Sequence, residues 1–172
     1  GDDSPLDLTN SELEDLLYYA TLAPSGGNSQ PWKWYYKDRI LHLYLDKSRA
    51  NSLLDHKSFG GYLALGASIE NLKITAEYRG YKLQITDFFT QGNTTDLVAA
   101  VRFFRNSERK SQIGAASSLF HQLENRETNR RICKQPKVDS SKIAGLADQI
   151  KDVSGSRLIF FEDSDSINEL GK

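Results

Sequence analysis

The stretch Ala23-Pro24-Ser25-Gly26-Gly27-Asn28-Ser29-Gln30-Pro31-Trp32 constrains this chain more than any other. Proline inside a helix removes a backbone hydrogen bond and clashes with the preceding turn, so a helix arriving from the N-terminal side must end here. Gly26-Gly27 lets the backbone take positive φ or approach another group closely. Between the prolines, Ser25, Asn28, Ser29 and Gln30 offer neutral side chains that both donate and accept hydrogen bonds. A helix C-cap followed by an edge turn accounts for the breaks. The density of polar groups also suits a loop that holds a ligand.

The flanks take opposite periodicities. Leu13, Leu16, Leu17 and Ala20 recur at helical spacing, and Thr9 or Ser11 can cap that helix, with Glu12 and Glu14 near its positive end. After the loop, Trp32 to Lys37 and Ile40 to Leu45 favour strands, joined as a hairpin by the charged turn Lys37-Asp38-Arg39. A polar, irregular run from Asp46 to Lys57 leads into the longest helical pattern, about Ser58 to Tyr78, which Gly80 ends. Its first half carries Gly60, Gly61, Ala64, Gly66, Ala67 and Ser68, and such small residues imply close packing. Leu65, Ile69, Leu72 and Ala76 continue one face, making this a buried central helix.

Strand patterns at Tyr81 to Thr90 and Asp96 to Arg105 follow, separated by Gln91-Gly92-Asn93. Asn106 to Gln112 reads as a charged loop and a candidate for mobility, and about Ala115 to Glu124 as a helix. Asp139-Ser140-Ser141 can cap a further helix to about Lys151, and Arg157 to Phe161 reads as a short strand. The pattern predicts an α+β fold: a mainly antiparallel sheet surrounded by helices, with a central small-residue helix.

A chain of 172 residues suits one domain with a sizeable core better than two independent ones. With 22 basic against 23 acidic residues, no whole-molecule field favours nucleic acid or an anionic membrane, and neither is expected as a partner. The single cysteine, Cys133, excludes an intrachain disulfide framework and a multi-cysteine metal site, and it suits a reducing cytoplasm. No signal-peptide pattern opens the chain, and no run approaches the roughly 18 apolar residues of a membrane span. Methionine is absent, and Ile167 to Lys172 reads as the first turn of another helix. These features lead us to expect a piece of a longer native chain.

Familiar catalytic signatures are missing. The sequence has no Gly-x-Gly-x-x-Gly after a strand, no phosphate-binding P-loop, no His-Glu-x-x-His and no Gly-x-Ser-x-Gly. His42, His56 and His121 lack metal-ligand spacing, so no metal site is expected, and His42 falls in a strand pattern as a surface or packing residue. The strongest charge feature is Arg126-Glu127-Thr128-Asn129-Arg130-Arg131. Guanidiniums offer rigid forks of donors, and with the Thr128 hydroxyl they can cradle a phosphate. A solvated basic turn is the competing reading of that segment. Together, a neutral hydrogen-bonding loop and a distant arginine-hydroxyl cluster suit a flat polar heterocycle joined to a phosphate. Flavin mononucleotide (FMN) answers that description.

Ala23 to Trp32 resembles the motif Ala-Pro-Ser-x-x-Asn-x-Gln-Pro-Trp of the nitroreductase superfamily of FMN-dependent oxidoreductases, and Gly66-Ala67-Ser68-Ile69-Glu70-Asn71-Leu72 resembles its central helix. The resemblance implies a flavin site lined by Pro24, Ser25, Asn28 and Gln30, commonly across a subunit interface. Ordinary members carry an Arg-x-Ser-x-Arg phosphate segment before the first helix, where this chain has Asp2-Asp3-Ser4-Pro5-Leu6-Asp7. Arg126-x-Thr128-x-Arg130 has that donor spacing instead. Together with Leu45-Asp46-Lys47-Ser48-Arg49, this order resembles a two-lobed branch in which one chain mimics the usual homodimer. The implied organisation is a first lobe over residues 1–124, with 125–172 the start of a second lobe or the remainder of the same domain.

What the resemblance implies is an FMN-dependent NAD(P)H oxidoreductase reducing nitroaromatic, quinone or related acceptors by a ping-pong cycle. The flavin would carry the chemistry, so no catalytic side chain is assigned. Cofactor contacts would come from Pro24, Ser25, Asn28, Gln30, Arg126, Thr128 and Arg130, within a homodimer or an intrachain pseudo-dimer. An FMN-sequestering protein with little turnover, or a non-catalytic interaction module, is consistent with the same residues.

Overall fold

Thr9 opens the first helix, α1 (Asn10–Thr21), through a reciprocal capping box with Glu12. The Thr9 Oγ1 accepts from the Glu12 N–H, while Glu12 Oε2 accepts from the Thr9 N–H at 2.8 Å. Of the two candidate caps, Thr9 is therefore the one used. A computed structural model describes residues 4–50, 55, 58–87, 96–106, 118–128, 139–151, 157–161, 166 and 169. They belong to two compact units, Gly1–Thr128 and Asn129–Lys172.

In the first unit, the aromatic and β-branched runs pair as expected. Strands β1 (Trp32–Lys37), β2 (Ile40–Leu45), β3 (Tyr81–Asp87) and β4 (Leu97–Arg105) form one antiparallel sheet in the order β1-β2-β4-β3. Lys37 pairs with Ile40, so Asp38 and Arg39 alone make the β1–β2 turn, with φ of 52° and 63°. Positive φ at both positions matches the right-handed strand twist. The turn expected at Gln91-Gly92-Asn93 lies outside the described residues, as does the expected end of β3 at Thr90.

The run after β2 is more ordered than its polarity suggests. Lys47–Ala50 forms a short helix, α2, whose start is set by Asp46: its Oδ1 accepts from the Ser48 N–H at 3.0 Å and from the Ser48 hydroxyl at 2.5 Å. Helix α3 (Phe59–Arg79) follows and ends on Gly80 at φ 86°, as expected for a left-handed cap. At its start, Asp55 accepts from the N–H groups of Gly60 and Gly61 at 2.6 and 2.9 Å. The small residues there serve close packing. A Cβ on Gly61 would lie 3.2 Å from Ala50 Cβ and 3.3 Å from Leu45 Cδ1, whereas one on Gly66 would meet nothing within 4 Å.

Two apolar clusters hold α1, α3 and the sheet together. Leu16 and Ala20 of α1 pack with Leu72 and Ala76 of α3 and with Leu41, Val101 and Phe103 of the sheet. Ala23, Trp32, Leu43, Leu45, Ala50, Ala64, Leu65, Val98 and Ala99 form the second cluster. Ala23 and Trp32 are the two ends of the proline-bracketed loop. The loop is therefore rooted in the core on both sides.

In the second unit, Asp139 caps α4 (Ser140–Ile150), its Oδ1 accepting from the Ser141 N–H at 2.9 Å. The expected strand at Arg157 to Phe161 is not formed. Those residues carry strand propensity but pair with no described strand, and Leu158, Ile159, Phe160 and Phe161 are exposed. Propensity alone does not make a strand without a partner edge.

Candidate functional site

Four carbonyls at the C-terminal end of α1, three in its last turn and that of the C-cap Leu22, receive hydrogen bonds from side chains. The Thr21 hydroxyl donates to Tyr18 O at 2.8 Å, Asn71 Nδ2 to Tyr19 O at 3.1 Å and the Ser68 hydroxyl to Ala20 O at 2.8 Å. Arg126 Nη2, 104 residues away in sequence, donates to Leu22 O at 3.1 Å. Tyr19 O and Ala20 O also accept from the backbone N–H groups of Leu22 and Ala23, at 3.1 and 3.3 Å, so the side chains add to the closing turn of the helix end. Two side chains of α3 and one arginine thus reinforce the end of α1 just before the loop.

The loop keeps an internal order that its composition only hints at. Ser25 is extended, with φ −144° and ψ 151°, and Gly26–Asn28 makes a single tight turn closed by Asn28 N–H to Ser25 O and Ser29 N–H to Gly26 O, both at 3.0 Å. Gly27, Asn28 and Gln30 all have positive φ, at 58°, 56° and 48°. Asparagine tolerates this region and glycine is indifferent to it, but glutamine ahead of a proline is strained. Such a residue costs on the order of 1–3 kcal/mol and persists only where its surroundings over-determine it.

Here they do. The Gln30 N–H donates to Ser25 Oγ at 3.0 Å, Pro31 is fully buried, and its carbonyl accepts from the Asp46 N–H at 2.8 Å. Arg49 Nη1 approaches Gln30 O at 3.5 Å, and Gln30 Nε2 lies 3.5 Å from Asn28 Oδ1, both at the edge of hydrogen-bonding distance. Asp46 anchors this end. It is 7% exposed and pairs with Lys33 Nζ at 3.1 Å, with Arg49 Nε at 3.8 Å. The Ser48 hydroxyl, followed by Lys33, holds its carboxyl below the usual range.

Of the expected contacts, the structure brings together Pro24, Ser25, Asn28 and Gln30 in the loop and places Arg126 at its N-terminal shoulder. Ser25 has an accepting lone pair committed to Gln30, and its O–H can still donate. Arg126 is exposed, and the bond to Leu22 uses one of its five N–H donors. Thr128 is described and exposed; Arg130 and Cys133 lie outside the described residues. Side chains on Gly26 or Gly27 would meet nothing within 4 Å, so that side of the loop is open.

Four residues that hold the site were not singled out for it in the sequence: Asp46, Arg49, Ser68 and Asn71. A signal existed for Ser68, a polar residue on the same helical face as Leu65, Leu72 and Ala76. His42 is half-buried between the rings of Tyr35 and Tyr44, at 6.3 and 6.4 Å, in keeping with a packing role. Among the described residues, no three His, Cys, Asp or Glu side chains come together as a metal site. None of the described helices is long and apolar enough to cross a membrane.

No protein-family model matches the chain. A Mycobacterium tuberculosis H37Rv protein named "Putative NAD(P)H nitroreductase acg" is 30% identical over 81 residues, 47% of this chain and 24% of that protein. "Uncharacterized protein Rv3127" of the same organism is 30% identical over 95 residues, 53% of this chain and 27% of that protein. The matches thus span about a quarter of these relatives' lengths. Among solved structures, "Putative NADH Oxidase" from Clostridium acetobutylicum superposes with a TM-score of 0.50 at 13% identity, covering 81% of this chain and 89% of that one. "Putative NADH dehydrogenase/NAD(P)H nitroreductase" from Parabacteroides distasonis gives 0.50 at 12% identity, over 79% and 89%. The chain has the α+β fold of these nitroreductase-like structures.

Proposed function

We propose that the loop from Pro24 to Gln30, with Arg126 at its shoulder, forms part of an FMN site in a nitroreductase-type NAD(P)H oxidoreductase. The observation that carries this reading is the Arg126–Leu22 bond, which brings the phosphate-binding candidate to the beginning of the proposed ring-binding loop. The donor set fits the group. Ser25, Asn28 and Gln30 present neutral donors and acceptors suited to a flavin ring, and Arg126 presents a charged fork suited to its phosphate. Thr128 adds a hydroxyl, and Arg130 enters through its sequence spacing alone.

Bound there, FMN would supply the redox chemistry, taking hydride from NADH or NADPH and passing electrons to a nitroaromatic, quinone or related acceptor in a ping-pong cycle. The chain's own work is binding and orientation. The strained Asn28–Gln30 backbone, rooted through Ala23 and Trp32, presents its polar groups in one arrangement, which lowers the ordering cost of binding. Phe59, Tyr62, Leu63 and Gly66 recur at helical spacing on α3, with the three large residues 69%, 38% and 63% exposed. This stripe supports assembly as a homodimer or as an intrachain pseudo-dimer of a longer protein.

A second reading also has an observation behind it. The Arg126–Leu22 bond places a cation on the negative end of α1, and such a cap is worth about 0.3–1 kcal/mol without any ligand. A non-catalytic module on the same fold needs no more than this. Flavin absorbance of the purified protein separates the two: the FMN reading expects bound or titratable flavin that Arg126→Ala weakens, the structural reading none. NAD(P)H oxidation with a quinone or nitroaromatic acceptor then distinguishes turnover from flavin storage.

A further inference from the structure

Arg126 follows a helical segment, residues 118–123, and that segment is held by an aromatic stack built on the end of α3. Phe120 is buried and lies flat on Tyr78, with centroids 4.0 Å apart and planes 7° from parallel. Its other neighbour is Tyr19 of α1 at 4.6 Å. His121 meets the edges of Tyr78 and Phe120, each at 5.6 Å. Asn125 Nδ2 donates to His121 O at 2.8 Å and turns the chain directly before Arg126.

At the centre is Arg79. Its Nε and Nη2 grip both oxygens of Asp15 at 2.7 and 2.8 Å, tying α3 to α1. The same guanidinium carbon lies 5.1 Å from the Phe120 centroid, 5.4 Å from Tyr78 and 5.9 Å from Tyr19. These are cation–π distances, and a planar guanidinium can fork a carboxylate while facing rings in a way an ammonium cannot. One side chain therefore joins α1, α3 and the segment that delivers Arg126.

We propose that Arg79 is a positioning residue: by clamping Phe120 against Tyr78 and Tyr19 while gripping Asp15, it fixes residues 118–128 so that Arg126 reaches Leu22 at the loop. Without the clamp the segment detaches locally, and Arg126 loses its place while the sheet and helices remain. Its consequence for ligand binding rests on the flavin reading above; its structural content does not.

Arg79→Lys keeps the charge but loses the fork and the planar stack, and Phe120→Leu keeps an apolar body without the ring. In the full chain, each variant is expected to speed amide exchange over 118–128 by at least about tenfold, on the scale of a lost charge-assisted contact, while α3 before Tyr78 keeps wild-type protection. The FMN dissociation constant, read by quenching of flavin fluorescence, is expected to rise about tenfold in Arg79→Lys, with no further rise on adding Arg126→Ala, because the two act through one interaction. Unchanged exchange over 118–128 overturns the clamp, as does a lowered Tm with full FMN affinity. Additive effects of Arg79→Lys and Arg126→Ala also overturn it. Faster local exchange in a protein whose wild type binds no FMN upholds the clamp and overturns the flavin reading. If Arg79→Lys does not fold, the exchange and affinity of Phe120→Leu decide the matter.

Discussion

Gln30 holds φ at 48° directly ahead of a proline, and Ser25 supplies the acceptor that its N–H needs. Replacing Ser25 by alanine removes that acceptor and leaves a partly buried donor unsatisfied, which costs about 1–3 kcal/mol. At roughly 2–4 °C per kcal/mol for a chain of this size, thermal unfolding is expected to show a Tm lower by several degrees. Asp46 makes a prediction of a different kind. Its carboxyl is held below the unfolded value of 3.8 by Ser48 and Lys33, so its contribution is complete above that value and is lost as pH falls through the lower folded one. Urea unfolding of Asp46→Asn is expected to show a shallower loss of stability than wild type as pH falls below about 4. Some of this was legible in advance: Pro24, Pro31 and the polar run marked the loop. Asp46 as its anchor was not, because its ties to Pro31 and Lys33 cross a hairpin and depend on register.

At the scale of elements, local chemistry was readable and pairwise geometry was not. The Thr9 and Asp139 caps, the two-residue hairpin turn and the Gly80 stop each follow from residues adjacent in sequence. The partners of Ser68 and Asn71 were hidden, because Ala20 and Tyr19 become their neighbours only once α1 and α3 cross. The short strand expected at Arg157 to Phe161 had the right propensity but no described edge to join. Small residues on α3 divide by surroundings: Gly61 faces Ala50 and Leu45, while Gly66 faces open space. Gly66→Ala is therefore expected to stabilise the protein by up to about 1 kcal/mol through helix propensity. In Gly61→Ala, that gain is opposed by overpacking of about 1–3 kcal/mol. Chemical denaturation should place Gly61→Ala below Gly66→Ala by at least about 1 kcal/mol.

For the whole molecule, the fold joins two stretches that the sequence keeps far apart. Arg126 bonds to Leu22 O, two residues before the loop that begins at Pro24. Composition and charge had narrowed the choice by removing nucleic acid and metal chemistry from the expectations, and the polar loop plus the arginine cluster had suggested FMN. The sequence could not reveal that Arg126 lies at the start of the loop, since its bond to Leu22 spans 104 residues. The exposed stripe of Phe59, Tyr62 and Leu63 predicts association through α3. Sedimentation of Leu63→Lys should shift toward the monomer if two copies of this chain meet there. The most direct test of the central claim is titration of the protein with FMN, followed by quenching of flavin fluorescence, for wild type and Arg126→Ala. Saturable binding is expected for wild type, weakened by at least about tenfold in Arg126→Ala, the scale of a lost charge-assisted hydrogen bond. No saturable binding by wild type, or equal binding by both proteins, would contradict that claim.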